Sequence, residues 1–321
     1  MIPRLRLAIA ALATLAAATG PAQAAWPEKP VKIFIGYAAG GSTDVVARVM
    51  AAKLGERLGQ PIVIENKPGG AGDLAAELMM QAPPDGYTLF MTTVAVHAIN
   101  PGLYKTRKFH PIDDFTPIAM IASYPMILIG STQTTFRTPA ELKALATKTP
   151  TFYASSGIGS PGHLSGELLV RALGTTITHV PYKGGSPSVL AVISGEAQLS
   201  FATLPAVVPQ IRGGKVRGVA LASRERNSAV PDVPTLIEQG LADFDVGTWT
   251  GFVGPKGLPA EVVQKMHAAV TATLADPAIR KRLVDEGAEI RDMTPAEFGS
   301  YMRSENARWT KVIRDAGVVP Q

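Results

Sequence analysis

A repeated order of strand, glycine-rich turn and helix is the feature that most constrains the fold of this chain. Val31–Gly36 predicts a buried strand, a turn follows it, and Asp44–Leu58 predicts a helix with one apolar face. Further strands are predicted at 61–65, 87–93, 151–154, 177–182, 197–203 and 216–222, and further helices at 73–81, 164–173 and 187–194. Strands that alternate with helices form mainly parallel sheets. The sequence therefore predicts an α/β fold.

Two capping boxes mark further helix starts, and no low-complexity linker divides the chain. Thr138-Pro139-Ala140-Glu141 and Thr294-Pro295-Ala296-Glu297 each place proline at the first helical position. A length of 321 residues suits two domains of ordinary size. We expect the chain to cross between them near 121–126 and 243–250. Domain 1 then comprises residues 25–123 and 246–321, and domain 2 comprises residues 124–245.

The first 24 residues are predicted to be a secretory signal peptide. Arg4 and Arg6 give the positive start, Leu7–Ala18 is a short apolar run, and Ala22-Gln23-Ala24 is a cleavage site before Ala25. A membrane anchor is the weaker alternative, because the apolar run is shorter than the roughly 20 residues that span a bilayer. The chain contains no cysteine, which excludes disulfides, thiol catalysis and cysteine-based metal sites. We expect a periplasmic protein.

The charge balance and the histidine spacing exclude two other classes. Without Arg4 and Arg6, the 31 basic residues fall to 29 beside 26 acidic ones, a net charge of +3. That charge is too balanced to indicate a nucleic-acid partner. The five histidines are at 97, 110, 163, 179 and 267, and no two are four residues apart. The sequence therefore predicts neither a nucleic-acid-binding surface nor a metal site.

Two glycine-rich turns have the features of anion-binding sites. Ser155–Leu164 lies between a predicted strand and a predicted helix, where exposed backbone N–H groups and a helix N-terminus attract an anion. Tyr37–Asp44 follows the same logic, since Gly40 and Gly41 allow close backbone approach and two hydroxyl residues follow them. Asp44 could cap the helix or act as a functional carboxylate. Turns at the carboxyl ends of strands indicate a site in a cleft.

The second turn is compatible with three functions other than anion binding. Gly157, Gly159 and Gly162 fit the dinucleotide pattern G-x-G-x-x-G, but the next strand, 177–180, lacks the acidic residue that would bind the ribose. A serine hydrolase could use Ser160 with His163, although this serine is outside a Gly-x-Ser-x-Gly elbow. A purely structural role for this turn is a further alternative. No nicotinamide cofactor is expected.

Seven segments, in order along almost the whole exported chain, resemble motifs of one family. The family is Bug, also called TctC: the periplasmic substrate-binding proteins of tripartite tricarboxylate transporters. The segments are Gly40–Arg48, Glu65–Gly69, Pro84–Leu89, His97–Tyr104, Ser155–Leu164, Val180–Gly185 and Val230–Thr235. Each segment alone is a weak signal, whereas their combination is specific.

This resemblance implies a two-domain Venus-flytrap fold that closes on a small organic carboxylate. The carboxylate is expected between the two turns, held partly through ordered water. The resemblance further implies a monomeric solute receptor rather than an enzyme, without a cofactor. Its expected partners are membrane transporter subunits or, alternatively, a membrane sensor kinase. Two departures from the family pattern stand out: Ala38 or Ala39 stands where many relatives have proline, and Phe201–Pro205 carries no carboxylate for a ligand ammonium.

From these observations we predict a ligand-binding set and a ligand without an amino group. The residues expected to hold the carboxylate are Gly40, Gly41, Ser42, Thr43, Ser155, Ser156, Gly159 and Ser160. The residues expected in the cleft wall are Thr92, Thr93, His97, Tyr182 and Thr203, with Tyr37 packed over the ligand.

Overall fold

The computed structural model describes residues 26–241 and 244–315, so the predicted signal peptide lies outside the described residues. The strands are β1 (Val31–Ile35), β2 (Ile62–Asn66), β3 (Thr88–Thr93), β4 (Phe115–Ser131), β5 (Phe152–Ser155), β6 (Thr178–Pro181), β7 (Leu199–Thr203), β8 (Val216–Ala222), β9 (Gly247–Pro255) and β10 (Glu289–Ile290).

The helices alternate with these strands along the chain. They are α1 (Ser42–Leu58), α2 (Asp73–Met80), α3 (Asn100–Leu103), α4 (Pro139–Lys148), α5 (Pro161–Leu173), α6 (Gly185–Ser194), α7 (Leu204–Arg212), α8 (Ala260–Ala275), α9 (Pro277–Asp285) and α10 (Pro295–Asp315). A 3-10 turn, Gly70–Gly72, precedes α2, and a π-helical turn, Ala95–Ile99, precedes α3.

One continuous sheet joins two halves of the molecule through β4. The strand order is β2-β1-β3-β9-β4-β7-β5-β6, and β8 and β10 also pair with β4. In the first half, β1 pairs in parallel with β2 and β3; in the second half, β5 pairs in parallel with β6 and β7. The α/β class is thus confirmed.

The middle of the sheet is antiparallel, which makes the sheet mixed rather than mainly parallel. The first part of β4, Phe115–Pro125, pairs with β9, and its second part, Met126–Ser131, pairs with β7 and β8, all antiparallel. β4 runs through the junction of the two halves and β9 begins there, opposite Pro125. Antiparallel strands can join the sheet without the helical crossover that parallel neighbours require. These long strands were predicted only as crossing points.

The core lies on both faces of this sheet and fixes the helix positions. Val46, Met50 and Leu54 form the apolar face of α1 and are fully buried against β1. Trp249 of β9 packs on Phe298 of α10 with ring centroids 5.5 Å apart. Burying such side chains contributes about 1.5–3 kcal/mol each. This burial fixes the positions of α1 and α10 against the sheet.

Both predicted capping boxes are present in the structure. Thr138 Oγ1 accepts a hydrogen bond from Glu141 N at 3.2 Å, and Thr294 Oγ1 accepts one from Glu297 N at 3.3 Å. In the described part of the chain, no helix is both long enough and apolar enough to cross a membrane.

Candidate functional site

A partly open cavity lies between the two halves, against β4 and β9. Its free volume is about 50 Å³, several times the roughly 10–15 Å³ that one water molecule requires. It therefore has room for a small molecule. The described residues that line it are Tyr37, Gly41, Ser42, Thr43, Thr93, Tyr124, Met126, Ser156, Pro161, Gly162, Gly185, Ser188, Phe201, Ala202, Thr203, Thr248, Trp249 and Thr250. None of these lining residues is charged.

Four helices begin at this cavity. Gly41 is the N-cap of α1 and Thr203 is the N-cap of α7, while Gly162 and Gly185 belong to the first turns of α5 and α6. The first N–H groups of a helix have no partner within the helix, and the helix dipole places a partial positive charge there. Four converging N-termini make the cavity favourable for an anion.

Asp44 organises the first turn instead of capping α1. Its Oδ2 accepts hydrogen bonds from Gly40 N and Arg48 Nε, both at 2.9 Å, and its Oδ1 accepts one from Asn66 Nδ2 at 3.0 Å. Burial acts to raise the pKa of Asp44, but the hydrogen bonds from Arg48, Gly40 and Asn66 outweigh it and lower the pKa below its ordinary value. The Gly40 N–H, expected to hold a ligand, is therefore used within the turn.

Three of the predicted residues in the second turn shape that turn and do not line the cavity. Ser160 is the N-cap of α5, and its Oγ accepts from His163 N at 3.2 Å. Ser155 Oγ is 2.7 Å from His179 Nε2 and accepts from Gly157 N at 3.1 Å. Both serines are fully buried. Gly159, at φ 80°, lies against Asn100 and also outside the lining.

Only Ser156 of the three predicted serines in this turn lines the cavity. The nucleophile and base of the hydrolase hypothesis do not meet, because Ser160 Oγ contacts the backbone N–H of His163. The serine that does contact an imidazole, Ser155, is fully buried and outside the cavity lining.

The predicted wall residues divide into two groups. Thr93, Tyr37 and Thr203 line the cavity. The Tyr37 hydroxyl donates to Ala71 O at 3.0 Å, and burial raises its pKa to about 12. Tyr182 lines an adjacent cavity that shares Tyr37 and Ser156 with the first.

Thr92 and His97 lie behind the wall. Thr92 Oγ1 is 2.8 Å from His97 Nε2, and both residues are fully buried. Burial lowers the pKa of His97 to about 3, so this imidazole is neutral. It stacks on Trp249 with ring centroids 5.9 Å apart. His97 therefore supports the wall from its far side.

Sequence reasoning missed the floor of the cavity. Tyr124 and Met126 come from β4, and Thr248, Trp249 and Thr250 come from β9. No local motif marks them, since their position follows from strand pairing across the junction. The Gly184-Gly185 turn was a usable signal for the start of α6 at the cavity. A glycine-rich turn also precedes α1 and α5, the helices at the two predicted anion-binding turns.

The two halves touch directly beside the adjacent cavity that Tyr182 lines. Ala38 N donates to Lys183 O at 3.2 Å, and the Tyr104 hydroxyl donates to Ile158 O at 3.4 Å. Gly184, at φ 139°, passes so close that a Cβ there would lie 2.8 Å from Ala38 N. The two halves are therefore in direct contact in this structure. Within the described ranges, no group of three or more His, Asp or Glu side chains could hold a metal ion.

Comparison with known proteins identifies relatives over most of the chain. Residues 46–318 match the family model described as "Tripartite tricarboxylate transporter family receptor". The solved periplasmic binding protein BugD has a TM-score of 0.89 at 33% identity, covering 92% of this chain and 100% of BugD. Rpa4515 of R. palustris, solved with adipate, has a TM-score of 0.89 at 34% identity, covering 92% and 100% of the two chains.

A third solved structure, MatC of Rhodopseudomonas palustris with bound malate, has a TM-score of 0.86 at 35% identity. This similarity covers 90% of this chain and 100% of MatC. The likeness to these structures confirms the predicted periplasmic-binding-protein fold.

Proposed function

The chain belongs to the tripartite tricarboxylate transporter receptor family, TctC, and on that premise we propose that it is a periplasmic receptor that closes around a small organic carboxylate and delivers it to a transporter of this type. One observation carries the proposal: four helix N-termini converge on an interdomain cavity whose described lining has no charged residue. Relatives solved with adipate and with malate support the ligand class.

Neutral donors suit reversible capture of an anion. A hydrogen bond to a charged group contributes about 1.5–3 kcal/mol, so a few of them hold a carboxylate without the strength of a buried ion pair. The proposed donors are the hydroxyls of Ser42, Thr43, Ser156 and Thr203 and the backbone N–H of Gly162. The remaining predicted residues of the two turns, Gly40, Ser155, Gly159 and Ser160, keep the turns in shape.

The rest of the cavity suits the carbon skeleton of a small acid. Met126, Phe201 and Trp249 supply apolar surface. The Tyr124 hydroxyl and the Trp249 indole N–H have no hydrogen-bond partner in the described part of the chain, and we assign them to a second acceptor on the ligand or to bound water. No acidic side chain lines the cavity, so a ligand ammonium would be desolvated without a partner. The ligand therefore lacks an amino group.

Closure is proposed as a hinge motion of two domains. The division at residues 123/124 and 245/246 is supported by β4, which changes its pairing partners between Pro125 and Met126. The contact of Ala38 with Lys183 then forms only in the closed state.

A carboxylate screen tests the proposed function. Thermal shift followed by calorimetry would compare malate, succinate, adipate, benzoate and glutamate, because a ligand that binds only the folded state raises the melting temperature. Thr43→Val should weaken the best binder by about tenfold or more. Ser300→Ala, an exposed change on α10, is the control and should leave affinity unchanged. The proposal fails if no carboxylate binds, or if the bound acid is chemically converted during incubation.

A further inference from the structure

Two imidazoles in close contact lie behind the second turn. The rings of His163 on α5 and His179 on β6 have centroids 4.4 Å apart. His163 Nδ1 accepts a hydrogen bond from Gly159 N at 3.4 Å, and His179 Nε2 is 2.7 Å from Ser155 Oγ. Each imidazole thus contacts one end of the segment that carries Ser156, which lines the cavity.

The groups that face this pair are few. Tyr153 of β5 stacks on His179 with centroids 4.7 Å apart, and its hydroxyl donates to Glu167 Oε1 at 2.5 Å. Glu167 Oε1 is also 4.0 Å from His163 Nε2. The electrostatic influences on the two histidines come from Glu167 and from the opposite imidazole. The nearby carboxylate of Glu167 is therefore already engaged by a tyrosine.

The contact of His163 with Gly159 requires a neutral imidazole. His163 Nδ1 can accept from Gly159 N only through its lone pair, which protonation removes. Two imidazolium rings with centroids 4.4 Å apart would also repel each other in a largely buried site. Acidification therefore disturbs the contacts that shape the segment 155–160.

We propose that His163 and His179 are positioning residues whose neutral forms keep segment 155–160 in its ligand-binding shape, so that acidification loosens the segment and releases the ligand. This inference rests on the proposed function, since the segment matters because Ser156 faces the bound acid. Neither histidine lines the cavity, so both act through Ser155 and Gly159.

The protonation behaviour agrees with this role. Burial, followed by repulsion from His163, lowers the pKa of His179 to about 4 from its ordinary 6.5. Burial lowers the pKa of His163 as well, and Glu167 offsets part of that effect. If a loosened segment returns His179 to its ordinary pKa, the loosened population rises about 30-fold between pH 7.5 and pH 5 by proton linkage.

Hydrogen exchange of the ligand-free protein tests the inference separately from ligand binding. Amide exchange of a peptide spanning 155–160 would be measured at about pH 7.5 and pH 5 and corrected for the chemical exchange rate. We expect protection of this peptide in the wild type to fall by about 10- to 30-fold on acidification. An unchanged wild-type protection would overturn the inference, whatever the carboxylate screen finds.

Matched variants assign the effect to the imidazoles. His163→Asn keeps an acceptor near Nδ1, and His179→Gln keeps a polar atom near Nε2, but neither side chain titrates in this range. His179→Gln should keep the segment protected at pH 5, and His163→Asn should lose less protection than the wild type, because His179 still titrates in that variant. His110→Asn is the control, because the exposed His110 Nδ1 also accepts backbone N–H groups, from Ile112 and Asp113. In His110→Asn, protection of segment 155–160 should fall on acidification as it does in the wild type. If protection falls equally in the variants at positions 163 and 179, the assignment to these imidazoles is refuted.

Discussion

Replacement of Asp44 by alanine should strongly destabilise the protein. Asp44 is 3% exposed, and its carboxylate accepts hydrogen bonds from Gly40 N, Arg48 Nε and Asn66 Nδ2. Asn66 keeps a second acceptor, Tyr37 O at 3.0 Å, so the largest loss is the part-buried hydrogen bond from Gly40 N to the carboxylate. A hydrogen bond to a charged group contributes about 1.5–3 kcal/mol.

The other contributions of Asp44 are smaller. The side chain of Arg48 is 53% exposed, so its ion pair adds at most about 1 kcal/mol. An acidic residue in the first turn of α1 adds about 0.3–1 kcal/mol through the helix dipole. Together these losses predict a decrease of about 2–4 kcal/mol in the free energy of unfolding. Ligand affinity should fall too, because the turn that presents Ser42 and Thr43 loses its internal support.

Urea unfolding followed by circular dichroism measures the effect. Asp113→Ala is the matched control, because the Asp113 side chain is 66% exposed, and it should change the free energy of unfolding by less than about 0.5 kcal/mol. Because the folded-state pKa of Asp44 is lowered, its stabilisation is present above the ordinary pKa of 3.8 and is lost as pH falls through the folded value. A loss below about 1 kcal/mol at neutral pH would refute the role assigned to this carboxylate.

Three further changes have definite expected outcomes. Gly184→Ala should weaken carboxylate binding in calorimetry, since its φ of 139° disfavours a side chain and a Cβ would meet Ala38 N; Gly257→Ala, at φ 86° with open space, is the control. Ser160→Ala should lower the free energy of unfolding by about 1 kcal/mol through loss of the α5 N-cap, and an unchanged urea midpoint would contradict this. Because the folded-state pKa of His179 is lowered to about 4, unfolding free energy should fall as pH drops from 6.5 towards 4; His179→Gln should flatten that slope, and an equal slope in both proteins would contradict the stated cause.

Local physics made much of this protein predictable from its sequence. The apolar run before Gly36, the apolar face of α1 and the capping boxes at Thr138 and Thr294 each depend on residues close together in the chain. The glycine turns were recognised for the same reason, since close backbone approach and helix starts are local properties. The two turns were expected to meet, and Gly41 and Ser156 line one cavity.

Tertiary structure alone decided which hydroxyls face that cavity. Ser155, Ser156 and Ser160 look equivalent in the sequence, yet the first contacts His179 and the last caps α5, so only Ser156 faces inward. The floor from β4 and β9 was equally hidden, because antiparallel pairing across the junction brings Tyr124 opposite Thr248 over more than a hundred residues of chain. Sequence determines which groups can bind an anion, whereas long-range packing determines which of them are already used by the protein itself.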